Sequence, residues 1–157
     1  MTDERAEHEK HMRRCLQLAE VAVLQNNTGV GSVVVVGGEV VGEGIETLPT
    51  GKSLTGHAET IACQAAVDAV GKSALRGATI YSNAEPCFMC SYVIRQASFS
   101  LVVYGLKTPS IGGVSSSHPI LTSEIEEWKP APQVLGGILA DECRMLRTKS
   151  LHRRRGS

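Results

Sequence analysis

Two short stretches of this sequence carry side chains able to hold a metal and move a proton. They are Thr55-Gly56-His57-Ala58-Glu59 and Ala84-Glu85-Pro86-Cys87-Phe88-Met89-Cys90. Zinc prefers thiolate and imidazole ligands arranged as a tetrahedron. Cys87 and Cys90 are three residues apart, so they share one side of a helix's first turn. Free backbone N–H groups and the positive dipole end of that turn stabilise thiolates. His57 supplies a third ligand from a second helix start. Three protein ligands leave a fourth position for water, which separates catalytic zinc from closed structural zinc. Glu59, two residues beyond His57, is placed near the metal without having to bind it. A carboxylate there can take a proton from an activated water and return it elsewhere.

Other uses of these residues stay open on spacing alone. A closed zinc site needs a fourth ligand, with Cys63, Cys143, Cys15 and His118 as candidates. A non-catalytic zinc module that binds a partner has the same requirement and no use for Glu59. A redox Cys-x-x-Cys pair leaves both His57 and Glu59 unexplained. Cys63 falls inside the helix that follows His57 and reads as buried packing, the usual role of a free cysteine.

The elements that must position these residues follow from pattern. Met12, Cys15, Leu16, Ala19 and Val23 lie near a 3.6-residue period and predict a helix over 3–25, ended at Asn26-Asn27-Thr28-Gly29. Gly37-Gly38 between valine-rich runs predicts a hairpin of strands 32–36 and 40–45. A helix over 57–70 ends at Gly71. A strand over 78–82 leads to a helix opened by Pro86 and running to Ala97. Strands over 99–104 and 133–135 and a helix over 138–150 complete the chain. A hairpin followed by strand–helix alternation predicts one mixed, roughly five-stranded sheet covered by helices. The turn-rich stretch from Thr108 to Thr122 reads as a long surface loop, and such loops are often functional.

Composition narrows the function classes. The 157 residues suit a single domain over 1–157. No apolar run approaches the length of about 20 residues that a membrane span needs. The charged opening, with Asp3, Glu4, Glu7 and Glu9, is unlike a secretory signal, so the cytoplasm is expected. Five cysteines are an odd count for a disulfide framework. Formal net charge is zero, which weighs against extensive phosphate-backbone binding. The exception is the basic stretch of Arg147, Lys149, His152, Arg153, Arg154 and Arg155, whose part beyond Ser150 reads as a solvated tail over 150–157.

His-x-Glu joined to Pro-Cys-x-x-Cys resembles the cytidine deaminase-like superfamily, whose zinc nucleobase deaminases carry that signature. The resemblance runs from about Met12 to Gly112. It includes Val30-Gly31-Ser32 and Val102-Val103-Tyr104-Gly105. The reading Glu-Pro-Cys-x-Met-Cys is similar to the branch of cytosine, guanine and tRNA adenosine deaminases. The resemblance implies a three-layer α/β/α sandwich, homodimers or tetramers, zinc on His57, Cys87 and Cys90, and Glu59 as the proton shuttle. It implies that activated water attacks a ring carbon bearing an exocyclic amine, which leaves as ammonia. It also places the Ala84 backbone at the reacting group and Val30 against the base.

Glu46 departs from the pattern, since many relatives place an asparagine there. An ionised carboxylate only accepts hydrogen bonds, so Glu46 favours a base edge rich in N–H donors. The expected substrate is therefore a free nucleobase or analogue of guanine, cytosine, isocytosine or aminotriazine type. The alternative is tRNA-specific adenosine deamination, which needs a basic face and a route for a flipped base. Zero net charge and Glu46 argue against it, and the C-terminal arginines argue for it. His118 and the acidic turn Glu124–Trp128 are further places where the pocket could be lined.

Overall fold

The computed structural model describes residues 2–156, and the side chains of residues 3–153. Strands β1 (Gly31–Val36) and β2 (Glu39–Ile45) form the expected antiparallel hairpin. Gly37 and Gly38 turn it with φ of 59° and 83°, a region where side chains with a Cβ are strained. Strand β3 (Thr79–Ala84) pairs antiparallel with β1. Strands β4 (Leu101–Leu106) and β5 (Gln133–Leu135) continue in parallel. The sheet order is β2-β1-β3-β4-β5.

Helices cover both faces because the strands alternate apolar side chains to both. Val34, Ile80 and Val102 pack with Ala62, Cys63 and Ala66 of α2 (Ala58–Val70) and with Ile94 of α3 (Phe88–Gln96). Val33, Val35, Tyr81 and Val103 pack on the other side with Met12, Cys15 and Leu18 of α1 (Thr2–Leu24). Cys143 of α4 (Ala140–Gly156) joins them. This is the expected three-layer α/β/α sandwich. The parallel β3–β4 pair requires a crossover, and α3 supplies it.

Two features bring the chemical residues together. A methyl group on Gly42 or Gly44 would collide with the backbone of Ala62 or Ala58, so bare glycines let α2 lie directly on β2. That seats the start of α2 beside the sheet. Strands β3 and β4 also extend two residues past their predicted ends, with Ala84 paired to Leu106. The carboxyl end of β3 thus delivers Glu85, Pro86 and Cys87 to the same edge, where ligands of open α/β sheets gather.

The segment read as a solvated tail is helical instead, since α4 continues to Gly156. Lys149 bonds Glu20 at 3.0 Å, and Arg153 donates to Asn26 Oδ1 and the Leu24 carbonyl. These contacts dock the helix on α1. The side chains of Arg154 and Arg155 lie outside the described residues. A 3-10 turn at Lys72–Leu75 had no sequence-level expectation. Among the described residues no helix is long and apolar enough to cross a membrane.

Candidate active site

His57 and Cys87 occupy the same position on two helices. Each is the extended N-cap residue, of α2 and α3 respectively, and neither side chain caps its own helix. Both positions are free to offer a donor atom outward. The two helix N-termini converge there, and their exposed N–H groups favour negative charge. Cys87 therefore stands just before the first turn rather than within it, with Cys90 one turn along.

His57 Nδ1 lies 3.4 Å from Cys87 Sγ and 3.5 Å from Cys90 Sγ. All three donor atoms fall within 4.8 Å of one another. Tetrahedral zinc, with ordinary Zn–S and Zn–N bond lengths, separates N and S donors by about 3.6 Å. The donor set and its spacing therefore fit zinc. Among the described residues this metal-binding group has three members, and Cys15, Cys63 and Cys143 are buried in the two cores. The fourth ligand that a closed site needs is not supplied by them.

The three groups also hold one another's protons. The Cys90 thiol donates to Cys87, which with His57 brings the Cys87 pKa down to about 4. The hydrogen bond to Cys87 pushes His57 up to about 9. Cys90, facing the Cys87 thiolate in a buried place, is driven far above the usual thiol range. The arrangement is an imidazolium–thiolate pair with a protonated neighbour, and binding a metal there releases protons.

Glu59 sits in the first turn of α2, 5% exposed, and Ser82 Oγ donates to it at 3.2 Å. Burial pushes its pKa up to about 7. A carboxyl poised near neutrality can both take and give a proton.

These residues open onto one cavity of about 360 Å³. Val30, Glu46 and Ala84 line it with His57, Glu59 and Cys87. Glu46 is buried, and its Oε2 accepts from the Leu48 N–H at 3.2 Å. It does not point to solvent. His118 is exposed on the loop, packed edge-on against Phe88, and is not part of the cavity wall. The acidic turn is likewise outside it. Trp128 there packs on Tyr92 and under Arg95.

Several wall residues had no clear sequence signal. Asn83 donates to the Gly29 carbonyl and accepts from the Gly31 N–H, fixing the segment that carries Val30. Glu85 accepts from the N–H groups of Thr108, Val114 and Ser115 and from Ser115 Oγ. These bonds hold its pKa below the usual value against the pull of burial. Glu85 thereby ties the loop after β4 beside Cys87. Arg147 and Leu151 of α4 form part of the rim. Only the Glu85 signal was within reach, because the residue stands inside the recognised motif.

The fold and this constellation define a zinc-binding deaminase. Residues 5–106 match the family of the cytidine and deoxycytidylate deaminase zinc-binding region, and the chain belongs to it. It is 33% identical over 132 residues to a tRNA-specific adenosine deaminase of Streptococcus pyogenes serotype M1, covering 84% of this chain and 76% of that one. It is 36% identical over 138 residues to a tRNA(Ile)-lysidine synthase of Deinococcus deserti. That match takes in 87% of this chain but only 25% of the longer relative. Among solved structures, one from work on A-to-I editing by tRNA:A34 deaminases superposes with a TM-score of 0.81 at 28% identity. It covers 87% of this chain and 98% of that one.

These relatives overturn the expectation of a free nucleobase or base analogue as substrate. Two physical reasons explain the error. Zero net charge is an average, whereas α4 concentrates Arg144, Arg147, Lys149 and Arg153 on one helix, with Arg147 in the cavity wall. The argument from Glu46 assumed an ionised carboxylate. Burial raises its pKa, the direction that favours the neutral carboxyl, which donates as well as accepts.

Proposed function

We propose that this protein is a zinc-dependent hydrolytic deaminase of adenosine in tRNA. The supporting observation is its match, over most of both chains, to a tRNA-specific adenosine deaminase. The cavity agrees with that reading, since it is concave, mostly apolar and lined by a carboxyl able to carry a proton. A base inside an RNA fold must leave its stack to reach such a site.

In this reading His57, Cys87 and Cys90 hold the zinc. Zinc, when bound, supplies the Lewis acidity that makes water a nucleophile near neutral pH. Glu59 accepts a proton from the attacking water and passes it to the ring nitrogen beside the reacting carbon. It then carries a second proton to the departing amine. Water is consumed, ammonia leaves, and inosine remains. Ser82 holds Glu59 toward the cavity, the Ala84 backbone contacts the reacting group, and Val30 supports the base. Glu46, buried in the cavity wall, stands where it can meet the edge of the base.

The test is incubation of the zinc-loaded protein with tRNA transcripts, reading inosine by nuclease digestion and chromatography. The expected result is inosine at a defined adenosine, with ammonia in equal amount. Release of ammonia from free bases, with tRNA left unchanged, would overturn the proposal.

A further inference from the structure

Helix α4 carries four cations with described side chains at 144, 147, 149 and 153, and they are not equivalent. Arg144 pairs with Asp141 at 2.8 Å. Lys149 pairs with Glu20. Arg153 is spent on Asn26 and the Leu24 carbonyl. Arg147 is the one that lines the cavity. Its recorded bond is a single donation from one terminal nitrogen to the Lys107 carbonyl at 3.2 Å. No carboxylate pairs with it among the described residues. A guanidinium has five N–H donors in a planar fork, so one bond leaves most of its capacity uncommitted.

The rim on which Arg147 stands is firmly built. Ser150, one turn further on, is buried and accepts the Gly29 N–H at 3.1 Å. Leu146 packs with Ala19 and Val23 of α1. The guanidinium is partly desolvated, which lowers its pKa from the ordinary arginine value while leaving it charged. A half-buried cation bonded to one neutral carbonyl is under-compensated. A bidentate oxyanion would restore the balance, and phosphate matches the fork best. The other titratable side chains that line the cavity include the carboxyls of Glu46, Glu59 and Glu85, so Arg147 is the arginine of its wall that can take an anionic ligand group.

We propose that Arg147 is the residue through which the cavity grips a phosphate of the RNA strand, next to the nucleotide whose base enters. This rests on the reading of the protein as a deaminase of RNA adenosine. It adds a specificity-determining contact that a free base or nucleoside cannot make.

The experiment is equilibrium binding by the zinc-loaded protein, Arg147→Met and Arg147→Lys, with folding checked by melting temperature. The probes are a short RNA stem–loop with adenosine in its loop, adenosine 5′-monophosphate, and adenosine. Arg147→Met should weaken stem–loop binding by at least about tenfold near 0.1 M salt, as loss of a charged hydrogen bond does. Its log–log salt slope should flatten by about 0.7–0.9, one phosphate contact. Arg147→Lys should keep the slope, and adenosine should bind all three proteins alike. An unchanged slope in Arg147→Met would overturn the proposal, as would an equal loss for adenosine, which is what a mere α4-to-Lys107 staple would produce. A loss confined to the monophosphate would assign the contact to a free nucleotide and also overturn it. Binding needs no turnover, so a flattened slope in Arg147→Met together with no inosine from the wild-type protein would defeat the deaminase reading separately.

Discussion

Glu59 and Glu85 are the same residue type on the wall of the same cavity, and both are almost fully buried. They are held in opposite states. Glu59 receives Ser82 Oγ, too little to offset its burial, and its pKa rises to about 7. Glu85 receives three backbone N–H groups and a hydroxyl, and its pKa falls. Burial therefore does not decide the charge of a carboxyl. The count of committed donors does. One carboxyl is left labile enough to carry protons, and the other is locked as a fixed anion that organises a loop.

The largest expected effect separates the two by activity. Glu59→Gln should lower inosine formation by about a thousandfold or more, the usual range for a lost acid–base group, with zinc content by metal analysis unchanged. Zinc lost together with activity would make Glu59 a ligand and break the comparison.

Next comes stability. Glu85→Gln turns an acceptor oxygen into an NH₂ group facing N–H donors, and should cost about 2–3 kcal/mol by urea unfolding. Exchange protection of the Thr108, Val114 and Ser115 amides should fall with it. The pH dependence follows from the lowered pKa. Glu85 contributes stability above the unfolded value of 4.5, and that contribution drains away as pH falls. The gap between wild type and Glu85→Gln should therefore narrow in acid.

Glu59 has the opposite sign in the metal-free protein. Its folded pKa of about 7 exceeds the unfolded 4.5, so its favourable contribution exists at low pH and is lost as pH rises through about 7. Metal-free Glu59→Gln should thus be more stable than metal-free wild type at pH 8, on the order of 1–2 kcal/mol. The gain should shrink toward pH 5. A destabilised variant at pH 8 would mean that Glu59 is as well solvated by donors as Glu85.

The smallest effect concerns Glu46, whose burial raises its pKa with fewer donors than Glu85 enjoys. Glu46→Gln keeps a donor and an acceptor, and should change KM for tRNA by less than about tenfold, in keeping with one neutral hydrogen bond. A loss as large as that of Glu59→Gln would show a carboxyl acting in proton transfer rather than in recognition.

Much of the molecule was legible before its fold was known. His57, Glu59, Cys87 and Cys90 were readable because metal chemistry restricts residue type and helix starts restrict spacing. The hairpin at Gly37-Gly38 and the apolar periodicities were local signals of the same kind. Arg147, Asn83 and Ser82 were not legible. Arg147 lies in a run of arginines and lysines that reads as a surface feature, and nothing in that run marks which side chain turns inward. Glu85 was visible in its motif, but its four donors come from residues more than twenty positions away.

The sequence by itself determined the metal-binding residue types and the layered fold, because these rest on residue identity and short-range geometry. Only the tertiary structure decided which carboxyl is labile, where α4 ends and which of its cations meets the cavity. Those outcomes depend on how many donors and how much water surround a group, and both are set by segments that the chain order keeps far apart.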